Sequence, residues 1–187
     1  MGQHGWRERA AFVVVGLSLA DCAGQAANSA SSWYAQHDSV APRGDKVVIC
    51  HDFGCASRTP VRFSAKDLSR LKFILSEGAE LPQAERKAVA RAVQWQERRV
   101  VPTVGSANGK GGMTFDSGVR GQIDCIDEAT NTTNLLLVAQ RHGLLKYHEV
   151  RSPVARGFFL DGCYPHAIGG SGGKEQRKDL WGGFVDP

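Results

Sequence analysis

Three residues offer this chain its clearest chemistry: Cys125 where a helix should start, His166 on an extended segment after it, and Asp179 near the next one. A thiolate is the nucleophile, and the partial positive charge of a helix N-terminus lowers a thiol's pKa. An imidazole alongside can take that proton and return it to a leaving group. A carboxylate behind the imidazole fixes its tautomer and orientation. Adjacent strands, about 5 Å apart, suit such a relay. Asp186 is a rival for the third role. Two plainer readings stand beside this one. A buried cysteine is commonly a small hydrophobe, and a Cys125–Cys163 disulfide would consume the nucleophile.

The elements that must position these residues follow from pattern. Cys125 to Arg141 reads as a helix, with Asp124 as N-cap and Gly143 as stop. At 100° per residue, Cys125, Ala129, Thr132, Leu136 and Ala139 share one stripe, which points Cys125 at the core. Asp127, Asn131 and Asn134 face the other way. Beyond this helix the pattern turns extended, with strands expected over 147–151, 154–160 and 164–168 and a hairpin at Asp161-Gly162. Gly169 to Gly173 reads as a flexible turn before a hydrophilic fourth strand over 174–181.

Upstream, Lys46 to Cys50 is a short β-branched run, so a strand. Ser64 and Asp67 form a variant capping box, followed by Leu68, Leu71 and Leu75 at helical spacing and Gly78 as a stop. A second helix opens at Pro82, with Ala88, Ala92 and Trp95 inward. Its basic residues, Arg99 among them, read mostly as a solvated face. Residues 102–121 read as a glycine-rich loop, and Gly109-Lys110-Gly111-Gly112 lacks the spacing of a P-loop.

Three blocks, Cys125-Ile126-Asp127-Glu128-Ala129, Pro165-His166-Ala167 and Lys178-Asp179-Leu180-Trp181, resemble those of bacterial transglutaminase-like cysteine peptidases. Residues 122–168 also look like a group of uncharacterised exported proteobacterial proteins. The resemblance covers about a third of the chain, through short motifs whose order and spacing add specificity. It implies an α+β domain with a papain-like core, in which the cysteine opens a central helix packed on an antiparallel sheet. It implies acyl transfer through a thioester, with Cys125 as nucleophile, His166 as general base and acid, and Asp179 orienting the imidazole. Backbone N–H groups at the helix start, helped by Gln122, would hold the oxyanion. The substrate would be a peptide or protein amide, with no cofactor.

Location is read from the N-terminus. Arg7 and Arg9 precede an eleven-residue apolar run, Ala10 to Ala20, too short to span a bilayer and suited to an export signal. Leu19-Ala20-Asp21-Cys22 looks like a lipobox, which makes Cys22 a lipidation candidate and the membrane a partner. Asp21 stands where that pattern has a small residue, and ordinary secretion is the alternative. Residues 1–22 are thus read as the signal, 23–45 as a tether and 46–187 as the domain.

Export permits disulfides. Cys50 and Cys55, separated by a four-residue spacer in Cys50-His51-Asp52-Phe53-Gly54-Cys55, suit a local bridge better than a zinc site, for which the ligands are too few. A net charge of +4 without a clustered basic face argues against nucleic acid. Two other classes of function stay open: a non-catalytic envelope protein that binds a peptide or protein partner, and a disulfide-stabilised structural protein.

Overall fold

The computed structural model describes residues 25–26, 30–105, 122–156 and 166–173. Cys22 and the rest of the segment expected to direct export lie outside the described residues, as do Cys163, Asp161-Gly162, Asp179, Asp186 and most of the glycine-rich stretch.

The chain is α+β. Its elements run β1 (Gln25–Ala26), α1 (Ala30–Gln36), β2 (Lys46–His51), β3 (Ser57–Arg62), α2 (Ala65–Ser76), α3 (Pro82–Val104), α4 (Cys125–Arg141), β4 (His148–Arg156) and β5 (His166–Gly173). One antiparallel sheet has the order β1-β4-β5, and β2 and β3 form a separate antiparallel pair. Helix α4 packs against β2, β4, β5 and α3. Its apolar residues Leu135, Leu136, Val138 and Ala139 join Val47 and Ile49 of β2, Leu71, Ile74 and Leu75 of α2, and Ala88, Val89, Ala92 and Val100 of α3 in one core.

Local chemistry explains the helix ends. Ser64 accepts from the Asp67 N–H while Asp67 accepts from the Ser64 N–H, so the capping box closes α2 from both sides. Gly78 follows α2 for a packing reason: a Cβ there would lie 2.6 Å from the Glu85 Cα, so only glycine lets the turn meet α3. Helix α3 continues to Val104, past the point at 102 where a loop was expected. Pro102 is accommodated because it sits one turn from the end, where a missing N–H costs a single hydrogen bond. Gly105, at φ 75, ends the helix with its N–H on the Val101 carbonyl. Arg99 is not solvated as expected. It pairs with Asp67, donates to the Arg62 carbonyl and lies 4.5 Å over the Phe63 ring, tying α3 to the start of α2.

The strands depart further from pattern. β3 was not anticipated, because Ser57-Arg58-Thr59-Pro60-Val61-Arg62 has the composition of a turn. It is tolerated as an edge, where Pro60 need not donate to a ladder. The two strands expected at 147–151 and 154–160 are one element to Arg156, with its register shifted between Arg151 and Val154 around Pro153. Gly169 to Gly173 is strand rather than turn, with Gly172 opposite Glu149 and Gly173 opposite His148. Backbone hydrogen bonding needs no side chain, so periodicity has nothing to register there. The expected tether also contains structure. Helix α1 buries Trp33 and Tyr34, so this part of 23–45 belongs to the folded domain.

Candidate active site at the start of the central helix

Helix α4 opens with Asp124 as N-cap, and the cap is reciprocal. Asp124 Oδ1 accepts from the Asp127 N–H at 2.8 Å, and Asp127 Oδ2 accepts from the Asp124 N–H at 3.2 Å. Cys125 is therefore the first helical residue, at the positive end of the helix dipole. It is a half-buried thiol and takes no part in the Cys50–Cys55 bridge. Its neighbours include Trp33 of α1 and Ala129, with Ile126 alongside.

The acidic residues of this first turn do more than cap it. Asp127 has no exposed surface. Besides Asp124, it accepts from the Phe53 N–H at 3.0 Å and the Cys55 N–H at 2.7 Å, while Asp124 Oδ2 accepts from the Gly54 N–H at 3.0 Å. These donors come from a turn in which Asp52, Phe53, Gly54 and Cys55 all have left-handed backbones, at φ 66, 69, 64 and 61. Successive left-handed residues turn their N–H groups to one side, which makes a concave anion seat. The Cys50–Cys55 disulfide, expected from spacing, closes this turn. The Asp52 N–H reaches the Gln122 carbonyl at 2.8 Å, so the turn is also tied to the chain entering α4.

Burial, and next the Asp124 charge, push the Asp127 carboxyl up to about 6, while the loop N–H groups pull the other way. Partial burial, then the charges of Glu97, Asp124 and Asp127, push Glu128 up to about 7. His37 of the α1 end stacks on Trp33 with ring centroids 4.2 Å apart. Burial lowers its pKa, and the nearby Asp124 charge works against that.

The polar side of α4, expected to face away from the core, is buried against β2 and α1. Asn131 accepts from the Cys50 N–H and donates to the Cys50 carbonyl, both at 2.8 Å, and so stands in for a neighbouring strand. Asn134 donates to the Val48 carbonyl and accepts from the Tyr34 hydroxyl. Thr130 accepts from the Trp33 indole N–H at 3.0 Å. The helix is thus enclosed on its polar side by hydrogen bonds and on its apolar side by packing.

Cys125 holds the helix-start position. Gln122, three residues earlier, is buried. His166 opens β5, opposite Arg156, and β5 packs on α4. Asp179 and Cys22 lie outside the described residues. The Cys50 and Cys55 sulfurs and an Asp127 oxygen lie within 4.8 Å of one another, a grouping that suits a metal. The sulfurs are bonded to each other and the carboxylate is engaged by three N–H groups, so this donor set is already used. Sequence reasoning missed the partnership of Asp127 with the Cys50–Cys55 turn. Its signal was Asp124-x-x-Asp127, a capping pattern, and nothing local pointed to donors more than 70 residues away.

No family model, curated protein or solved structure matches this chain.

Proposed function

We propose that this protein is an exported, thiol-dependent amide hydrolase or acyltransferase of the papain-like, transglutaminase-like kind, acting at the cell envelope. One observation carries the reading: Cys125 is the first residue of the helix that the other elements enclose, and the strand opened by His166 packs on that helix. On this reading residues 1–22 direct export, and a lipid on Cys22 holds the chain at the membrane.

The chemistry runs in two halves. His166 takes the Cys125 proton as the sulfur attacks the amide carbonyl. The C–N bond then breaks, the imidazolium returns the proton to the leaving amine, and a thioester remains. Water gives hydrolysis and an amine gives transfer, each attacking with His166 as base. Asp179 orients the imidazole, and N–H groups at the α4 start, with Gln122, hold the oxyanion.

A second reading rests on Cys125 packing with Trp33 and Ala129 as a small apolar side chain. It makes the chain a non-catalytic envelope protein that keeps the fold and binds a peptide or protein partner. Casein and a fluorescent primary amine, given to the mature protein, separate the two. The catalytic reading expects cleavage or amine incorporation that Cys125→Ala and His166→Ala abolish without changing the thermal melt. Turnover that survives Cys125→Ala overturns it.

A further inference from the structure

We propose that the Cys50–Cys55 disulfide is a redox latch: it holds the Asp52–Cys55 turn on the carboxylates that flank Cys125 and thereby controls the reactivity of that thiol. The latch stands on the geometry alone, and its effect on Cys125 rests on the nucleophile reading above.

Four consecutive residues at φ near +65, three of them (Asp52, Phe53 and Cys55) not glycine, are an unfavourable backbone. Each of those three costs on the order of 1–2 kcal/mol and persists only where its surroundings enforce it. Two things enforce it here. The disulfide ties the turn's ends, with Cα atoms 4.5 Å apart. The N–H groups of Phe53, Gly54 and Cys55 are taken by Asp127 and Asp124. Ser39 also donates to the Cys50 sulfur at 3.4 Å, since a bridged sulfur can only accept.

A dithiol reductant would break the S–S bond, placing two electrons and two protons on Cys50 and Cys55 while the reductant becomes a disulfide. The turn then loses one of its two constraints and relaxes from the left-handed region. Its N–H groups leave two carboxylates that lie on either side of Cys125 in sequence and are no longer offset. Uncompensated negative charge disfavours a thiolate. The bridged form is therefore the reactive one, as suits an oxidising compartment.

Other titratable groups lie on the elements around the start of α4. On α4 they are Asp124, Asp127 and Glu128; on α3, Glu97 beside Glu128. From the α1 end comes His37, near Asp124. At the end of β2, His51 Nδ1 lies 3.2 Å from Asp52 of the turn that follows. The strand opened by His166 packs on the same helix.

The test compares the mature oxidised chain with Cys50→Ser/Cys55→Ser. It reads hydrogen exchange at residues 53–55 and the pH profile of iodoacetamide alkylation at Cys125, mapped by mass spectrometry. The expected result is at least roughly tenfold faster exchange at 53–55. With it, the alkylation profile moves up by about one pH unit, so that labelling at pH 7 slows about tenfold. Titrating the wild-type chain with a phosphine gives the same two readings should the double variant not fold, and reoxidation should reverse them. Unchanged exchange at 53–55 overturns the latch and leaves the nucleophile reading intact. Faster exchange with an unmoved Cys125 profile makes the bridge purely structural, which also overturns the proposal. A Cys125 that alkylates only after denaturation overturns the nucleophile reading, and the control of reactivity with it.

Discussion

A carboxylate with no exposed surface, as at Asp127, must be met by donors or give up its charge. Asp127 does some of each: three N–H groups meet it, and burial still holds its carboxyl at about 6. Removing the acceptor with Asp127→Ala leaves the Phe53 and Cys55 N–H groups without it, and each costs about 1–3 kcal/mol. Urea unfolding should show a loss of about 3 kcal/mol or more. The pH dependence has a definite sign. The folded pKa is raised above the usual 3.8, so the folded state binds the proton more tightly. The resulting stabilisation is complete below about pH 4 and is lost as pH rises through 6. Between those limits the wild type should lose up to about 3 kcal/mol relative to Asp127→Asn. A stability difference that stays flat over this range would contradict the assignment.

At the scale of elements, two polar side chains do work that strands and turns usually do for themselves. Asn131 completes the outer edge of β2 through the Cys50 N–H and carbonyl. Asn131→Ala should cost about 2–3 kcal/mol, whereas Asn131→Asp, which keeps the acceptor, restores only the N–H partner. Chemical unfolding of both variants tests the order. Glu85 does the corresponding work where β4 begins. This α3 carboxylate accepts from the N–H groups of Lys146, Tyr147 and His148 and contacts His148 Nδ1 at 2.7 Å. Burial pushes its pKa up, but these four bonds outweigh it and hold the carboxyl below the usual range. The stabilisation is therefore present above about pH 4.5 and lost as pH falls through the lower folded value. Glu85→Ala should cost about 3–5 kcal/mol at pH 7 and lose part of that deficit in acid. A deficit that grows on acidification would reverse the sign.

Across the whole molecule, the segment before Ser39 is part of the domain rather than a leash to it. Trp33 is 2% exposed, bonds to Thr130 and packs over the start of α4, and Tyr34 reaches Asn134. Trp33→Ala should destabilise by about 3–5 kcal/mol, as for other buried aromatics. A chain beginning at Ser39 should show the same loss in a thermal melt, with Trp95 exchange in the core affected less than α4. An unchanged melting temperature would mean that α1 is an accessory. Any lipid on Cys22 would then lie close to the folded domain in sequence, with eight residues from 22 to the first residue of α1 at 30.

Several features were legible from residues alone. The starts of the three long helices, the Ser64–Asp67 box, Cys125 as first residue of its helix and the Cys50–Cys55 bridge all follow from short-range chemistry. Caps, helical periodicity and a close cysteine pair act within a few residues, so a linear reading captures them. What only the tertiary structure decided has the opposite character. Asn134 looks solvated in a helical projection because its partner, Tyr34, is 100 residues away. The glycines of β5 and the turn-like residues of β3 become strand through backbone pairing, which side-chain pattern does not encode. Apolar burial leaves a period in the sequence, whereas polar burial leaves one only where its partner is already known.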